Sequence, residues 1–111
     1  MDEPTRIAYE GDPALRQPVM AALQRVVDPE MAMSIMDVGL VYGIEAREDR
    51  VRVELTMTSA ACPVADLIVD EIDRELRAAL SQDLDIDVAL VWEPPWTPER
   101  LSARARMRMG W

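Results

Sequence analysis

The chain has 111 residues, half of them apolar, which is enough for one compact core and too little for two. Twenty-one acidic residues against twelve arginines give a formal net charge of −9, and this argues against nucleic acid as a partner, since phosphate binding needs a net basic face. No apolar run approaches the roughly 20 residues that span a bilayer, the acidic N-terminus lacks a signal-peptide stretch, and a single cysteine cannot form an internal disulfide, so we expect a cytoplasmic protein with no membrane partner.

The N-terminal part of the chain is predicted to hold an arm and one helix. Residues 1–13 combine prolines and a glycine with little apolar periodicity, which indicates a flexible arm ahead of a single domain over 14–111. Apolar residues at helical spacing after Pro18 predict a helix over 17–27. It should stop before Pro29, because a residue that precedes proline is pushed out of the helical region.

The remaining elements follow from two kinds of periodicity. Alternating apolar residues predict a hairpin of two antiparallel strands over 38–46 and 51–58. A continuous apolar stripe predicts a long helix over 63–80, alternation predicts a third strand over 86–92, and a Thr-Pro start predicts a final helix over 98–107. The order α-β-β-α-β-α predicts an α+β fold with a three-stranded sheet and helices mainly on one face.

Cys62 stands out, because it is the only cysteine of a chain that has no histidine. It lies where the second strand ends and the long helix begins, directly before Pro63. A helix N-terminus offers unpaired N–H groups and a positive dipole end, which favour the thiolate that attacks electrophiles and binds metals. A small apolar residue at the start of a core helix is the structural alternative, and position alone leaves both interpretations open.

Further polar residues flank this junction. Thr56 and Thr58 are expected on the face opposite the buried strand residues, and a strand-to-helix loop is a favoured place for a ligand site. Three acids, Asp28, Glu30 and Asp37, precede the first strand. Their structural alternatives are helix termination, a solvated loop and a turn, respectively.

The residue inventory limits the chemistry that such a site could perform. Without histidine, a Cys-His catalytic pair cannot form within one chain. One cysteine is also too few for a structural zinc site or a complete iron–sulfur cluster. A cluster could still be shared across a dimer, or with carboxylates, a small thiol or a client protein. Such incomplete ligation suits a carrier better than a redox enzyme.

Five sequence blocks occur in an order and spacing that resemble the SufT/PaaD family of iron–sulfur cluster assembly factors. The resemblance covers about residues 18–111. The blocks are Asp28-Pro-Glu30, Asp37-Val-Gly-Leu-Val-Tyr42, Thr56-Met-Thr58 with Cys62-Pro63, Trp92-Glu-Pro-Pro-Trp96, and the stretch 105–110.

The resemblance implies a small α+β domain that helps to mature iron–sulfur or related metalloproteins without catalysis of its own. Cys62 then becomes the reactive cysteine, a transient ligand of the cluster or a thiol contact. The polar residues around it, which would shape the cofactor-binding pocket, become Asp28, Glu30, Asp37, Thr56 and Thr58. The implied partners are the assembly machinery and client apoproteins, and a cluster shared through one cysteine per chain would favour a homodimer.

Three departures refine this expectation. No cysteine-rich segment follows the last block, which favours the short SufT-like branch of the family. No glycine-rich phosphate loop is present, so no nucleotide is expected as a cofactor. The leucine usual after Asp-Pro-Glu is Met31 here, a mild change in packing.

The C-terminal blocks carry two alternatives of their own. The Trp-Glu-Pro-Pro-Trp block is predicted to form a packed corner, although an exposed Trp96 would be a plausible anchor for a client protein. The arginines of the last helix are predicted to face solvent, with an acidic partner docked at Arg104 as the alternative.

Three functions remain in order of preference. The first is an accessory factor, not an enzyme, that uses Cys62 in cluster assembly or delivery. The second is a metal-free adaptor that docks clients, including multicomponent di-iron oxygenases, onto the assembly machinery. The third is a small thiol-dependent enzyme with Cys62 as nucleophile and Asp37 or Glu30 as base.

Overall fold

A mixed four-stranded sheet organises the chain. The structure is a computed structural model that describes residues 7–58 and 62–110, except for the side chains of 62–64. The elements in chain order are β1 (Ala8–Gly11), α1 (Pro13–Gln24), β2 (Val27–Asp28), β3 (Met33–Ser34), α2 (Ile35–Val38), β4 (Val41–Ala46), β5 (Arg50–Leu55), α3 (Cys62–Ala79), β6 (Asp85–Leu90), a 3-10 turn (Pro98–Arg100) and α4 (Ala103–Met109).

The sheet has the strand order β1-β4-β5-β6, and a separate two-stranded sheet pairs β2 with β3. β4 and β5 form the predicted antiparallel hairpin, with Ile44 opposite Val53. β1 runs parallel to β4, and β6 runs parallel to β5. The α+β class is therefore confirmed.

The core forms where α1 and α3 cover one face of this sheet. β5 alternates buried valines with exposed arginines, so its apolar face points to the core. α3 buries Ile68, Ile72 and Leu76 on one stripe, and α1 buries Val19 and Leu23. None of the helices in the described part of the chain is long and apolar enough to cross a membrane.

The predicted count of three strands is wrong because residues 8–11, assigned to the flexible arm, form β1. The sequence Ala8-Tyr-Glu-Gly11 does not alternate between apolar and polar residues, so periodicity does not reveal this strand. Their pairing depends on Gly11, which has a φ of +120° and lies so close to Ala46 that an added Cβ would be 2.0 Å from its carbonyl oxygen. The arm therefore does not extend over 8–13, and residues 1–6 lie outside the described residues.

The first and last helices begin at other residues than predicted, because their N-cap residues were not identified from the sequence. α1 begins at Pro13, since Asp12 is its N-cap and accepts a hydrogen bond from the amide of Ala14 at 2.9 Å, and Pro18 lies inside the helix. The last helix begins at Ala103 because Ser102 is its N-cap, whereas Thr97 makes no side-chain capping bond.

The first predicted strand also begins later than expected. Residues 35–38 form α2, which Ser34 caps by accepting a bond from the amide of Met36 at 3.1 Å and which ends at Gly39 with a φ of +82°. This extra turn fixes the approach of the chain to β4.

Candidate functional site

The turn between α2 and β4 is the point where three of the five sequence blocks meet: Asp37–Tyr42, the block that contains Thr56, and Trp92–Trp96. The backbone carbonyls of residues 38–41 each accept a hydrogen bond from a distant part of the chain. The donors are Trp96 Nε1 to Val38 at 2.8 Å, Arg100 Nε to Gly39 at 2.9 Å, the Thr56 amide to Leu40 at 2.8 Å and Arg100 Nη2 to Val41 at 3.3 Å. The C-terminal segment and β5 are thereby fixed on the same turn.

Gly39 permits this arrangement. An added Cβ would lie 2.3 Å from the carbonyl oxygen of Arg100, and the positive φ disfavours any other residue. The guanidinium of Arg100 stacks 4.1 Å from the ring centroid of Tyr42, whose hydroxyl donates to the carbonyl of Pro94 at 2.8 Å. Arg100 is thus a framework residue that sequence analysis counted among outward-facing arginines. Sequence reasoning offered no signal for this role, because it placed Arg100 inside the predicted last helix, whereas the structure places it before α4.

Asp37 is buried and joins three helices. Its Oδ1 accepts from the Ser102 hydroxyl at 3.0 Å, and its Oδ2 accepts from Gln24 Nε2 at 3.1 Å. The Ser102 amide donates to the Asp37 carbonyl at 2.9 Å, and Arg104 Nη1 lies 3.9 Å from Oδ2. The carboxylate therefore links α1, α2 and α4.

Asp28 and Glu30 lie together in the β2–β3 hairpin. Asp28 is 2% exposed, and its Oδ1 accepts a hydrogen bond from the Glu30 amide at 2.9 Å. The Asp28 carbonyl accepts from the Ala32 amide at 2.7 Å, which closes the turn. Glu30 itself is exposed. Of this pair, only Glu30 presents its carboxylate to solvent.

Thr56 and Thr58 follow the end of β5. Thr56 is 1% exposed, and among the described residues its Oγ1 is the buried side-chain polar atom that has no hydrogen-bond partner. Thr58 is half-buried. A buried hydroxyl without a partner destabilises the folded chain, so Thr56 is a polar group that packing alone does not explain.

Cys62 is the first residue of α3, as the sequence predicted within one residue. The helix is 18 residues long. The first amides of an α-helix have no partner within the helix and lie at the positive end of its dipole. The thiol itself and the preceding loop residues 59–61 lie outside the described part of the structure.

The two residues that the sequence predicted to bind a partner, Trp96 and Arg104, lie near Asp37. Trp96 is half-buried, packs against the core and bonds to the turn, which agrees with the packed-corner interpretation. Arg104 is exposed and faces the Asp37 carboxylate. Trp92, which was not predicted to bind a partner, is 50% exposed and is the more accessible indole of this corner.

The structure therefore divides the predicted site into two groups. Asp37, Thr56, Trp96 and Arg104 are linked around the α2–β4 turn, whereas Asp28 and Glu30 belong to the separate β2–β3 hairpin. Within the described residues, no group of three or more acidic or cysteine side chains could hold a metal ion.

Comparison with known proteins gives a consistent result. The sequence model described as iron–sulfur cluster assembly protein matches residues 16–88. The chain is 42% identical over 98 residues to the Fe–S protein maturation auxiliary factor YitW of Bacillus subtilis, which covers 87% of this chain and 95% of the relative. It is 36% identical over 86 residues to the Fe–S protein maturation auxiliary factor SufT of Staphylococcus aureus, covering 77% and 97%.

A solved structure agrees with the fold. The crystal structure of a domain of unknown function from Bacillus anthracis has a TM-score of 0.81 at 36% identity, and the match covers 87% of this chain and 92% of that one.

Proposed function

This chain belongs to the iron–sulfur cluster assembly protein family, and on that premise we propose that it is an auxiliary factor in the maturation of iron–sulfur proteins. Two of its relatives are named as such factors. In this proposal Cys62 is the transient contact for a cluster in transit or for a thiol of the client. The chain acts as a carrier and performs no catalysis of its own.

The position of Cys62 at the start of α3 is the observation that carries the proposal. The N-terminus of a long helix favours a thiolate, which is the form that binds iron. One thiol per chain cannot complete the ligand set of a cluster. The bound state is therefore temporary, and its remaining ligands come from a client apoprotein, from the assembly machinery or from a second chain in a homodimer.

The polar residues divide into framework and contact groups. Asp28 and Asp37 hold the hairpin and the α2–β4 turn in place, because their carboxylate oxygens already accept internal hydrogen bonds. Thr56 and Thr58 lead from β5 into the loop before Cys62. A buried hydroxyl such as that of Thr56 is suited to donate to the sulfur of bound cargo.

Anaerobic reconstitution with iron and sulfide tests this function. Wild type should gain visible absorption with stoichiometric iron and sulfide, and Cys62→Ser should not. A relocated-thiol variant, Cys62→Ser with Ser81→Cys, is the matched control, since it keeps one thiol per chain on an exposed turn. Cluster formation by that control equal to wild type would show that the position of the thiol is irrelevant.

Client maturation must be measured alongside the spectra. We expect Cys62→Ser to fold like wild type and to abolish the gain in activity of an iron–sulfur client. Normal client activity in this variant would contradict the thiol role.

A metal-free adaptor is the second candidate, and the exposure of Trp92 favours it. This indole is 50% exposed next to a corner stiffened by Pro94 and Pro95, which is a suitable anchor for a client. The adaptor function predicts that Trp92→Ser impairs client maturation more than Cys62→Ser does. The opposite order of effects would favour the carrier.

A further inference from the structure

Two helices each expose one large apolar side chain with charges of mainly one sign nearby; Arg74 follows the acidic residues on α3, and the Asp37 carboxylate lies 3.9 Å from Arg104 of α4. On α3, Leu67 is 61% exposed, and on α4, Met107 is 83% exposed. We call the first group the acidic patch, formed by Leu67, Asp66, Asp70 and Glu71. We call the second the basic patch, formed by Met107, Arg104, Arg106 and Arg108. An apolar side chain with charged residues around it has the arrangement of a small interface, an apolar centre with a polar rim.

The acidic patch lies on the solvent side of α3. Asp70 and Glu71 are three and four residues after Leu67, so helical geometry places them on the same face. Asp66 is exposed beside them. The opposite face of the helix carries the buried stripe, so this face takes no part in the core. The negative charges therefore surround an apolar centre that the fold leaves in water.

The basic patch lies on the solvent side of α4. Arg104 precedes Met107 by three residues, and Arg106 and Arg108 stand next to it in sequence. Arg106 donates to the backbone carbonyls of Leu101 and Glu99, which are neutral acceptors and leave its positive charge in place. Ala105 on the opposite face is buried and anchors the helix.

We propose that the acidic patch of one copy of this chain docks on the basic patch of a second copy. The two patches carry opposite charges. They match in having an apolar centre and in length, since each spans about one and a half helical turns. Leu67 would pack on Met107 of the second copy, and the charged rings would exclude water around this contact. The proposal concerns self-association and does not depend on cluster binding.

The proposed contact lies close to the first turn of α3, where Cys62 is. Leu67 lies about 7.5 Å along the helix axis from Cys62, given a rise of about 1.5 Å per residue. Docking would place the arginine-rich helix of the second copy at the same end of α3 as the cysteine. Because the paired charges are at the surface, the association is expected to be weak and to weaken further as salt rises.

Sedimentation velocity over a range of protein concentrations tests the proposal. Wild type should associate at high concentration in physiological salt. Asp70→Arg and Arg108→Glu should each raise the dissociation constant about tenfold, since each reverses one charge at the contact. Glu48→Arg and Arg50→Glu are matched controls with the same changes in net charge on the β4–β5 turn, and they should associate like wild type.

Mixing the two patch variants identifies the geometry. The Arg108→Glu chain keeps the native acidic patch, and the Asp70→Arg chain keeps the native basic patch. An equimolar mixture should therefore associate about as tightly as wild type, although each variant alone associates about tenfold more weakly. A wild type that stays monomeric would overturn the proposal, as would a mixture that stays monomeric or controls that lose association equally.

Discussion

Replacing the Thr56 hydroxyl by a methyl group separates stability from function. Thr56→Val keeps the β-branched shape and removes the buried oxygen that has no partner among the described residues. Relief of that desolvation penalty should raise the free energy of unfolding by about 1–3 kcal/mol. In a domain of this size, this corresponds to an increase in melting temperature of roughly 4 °C or more.

Urea unfolding monitored by circular dichroism measures the effect, and Thr58→Val, at a half-buried site in the same segment, is the matched control with little expected change. If the hydroxyl donates to cargo at Cys62, client maturation should fall in Thr56→Val despite the gain in stability. A loss of stability would refute the reasoning, because it would show that the hydroxyl has a partner in the native fold. A gain in stability with unchanged client activity would remove Thr56 from the site.

Further predictions test the framework and the pH dependence. Gly39→Ala should lower the free energy of unfolding by more than about 2 kcal/mol, because the new Cβ would lie 2.3 Å from the carbonyl oxygen of Arg100 and the backbone is left-handed. Gly110→Ala is the control, because Gly110 has a φ of +77° and open space around it, and it should lower the free energy of unfolding by only about 1 kcal/mol. Thermal denaturation of both variants measures the difference. Trp96→Phe should lower the free energy of unfolding by about 1 kcal/mol, because the carbonyl of Val38 loses its indole donor. An unchanged midpoint of urea unfolding would contradict this role of Trp96. Burial raises the pKa of Tyr9, and a nearby carboxylate adds to the effect, so the folded state favours the protonated phenol. This contribution to stability is complete below the unfolded-state pKa of about 10 and is lost as pH rises through the higher folded-state pKa. Tyr9→Phe should therefore flatten the alkaline part of the stability curve, and an unaltered slope would contradict the assignment.

Local patterns in the sequence predicted the central hairpin, α3 and β6 to within a few residues. These elements bury one face, and the resulting periodicity depends only on neighbours in the chain. β1 and the two strands of the β2–β3 hairpin were missed because strands of two to four residues carry no readable period. The one-turn helix α2 was missed: residues 35–37 were assigned to a loop and Val38 to the start of a strand, since the four residues are all buried and show no amphipathic pattern.

The candidate site was predictable in part. The blocks Asp37–Tyr42 and Trp92–Trp96 are in contact in the fold, but the roles of the residues within them were not visible in the sequence. Asp37 resembled a turn residue or a pocket acid, and its bond to Ser102, 65 residues away, makes it a link between helices. Arg100 resembled its three neighbours in the tail, and its contact with Gly39 spans 61 residues.

The sequence by itself determined the fold class, the start of a long helix at Cys62 and the family, because these depend on local periodicity, on proline and on motif order. Only the tertiary structure decided which polar groups hold the frame and which find no hydrogen-bond partner among the described residues. That decision rests on whether each buried donor and acceptor finds a partner. The partners come from segments far apart in the chain, and packing alone brings them within hydrogen-bond distance.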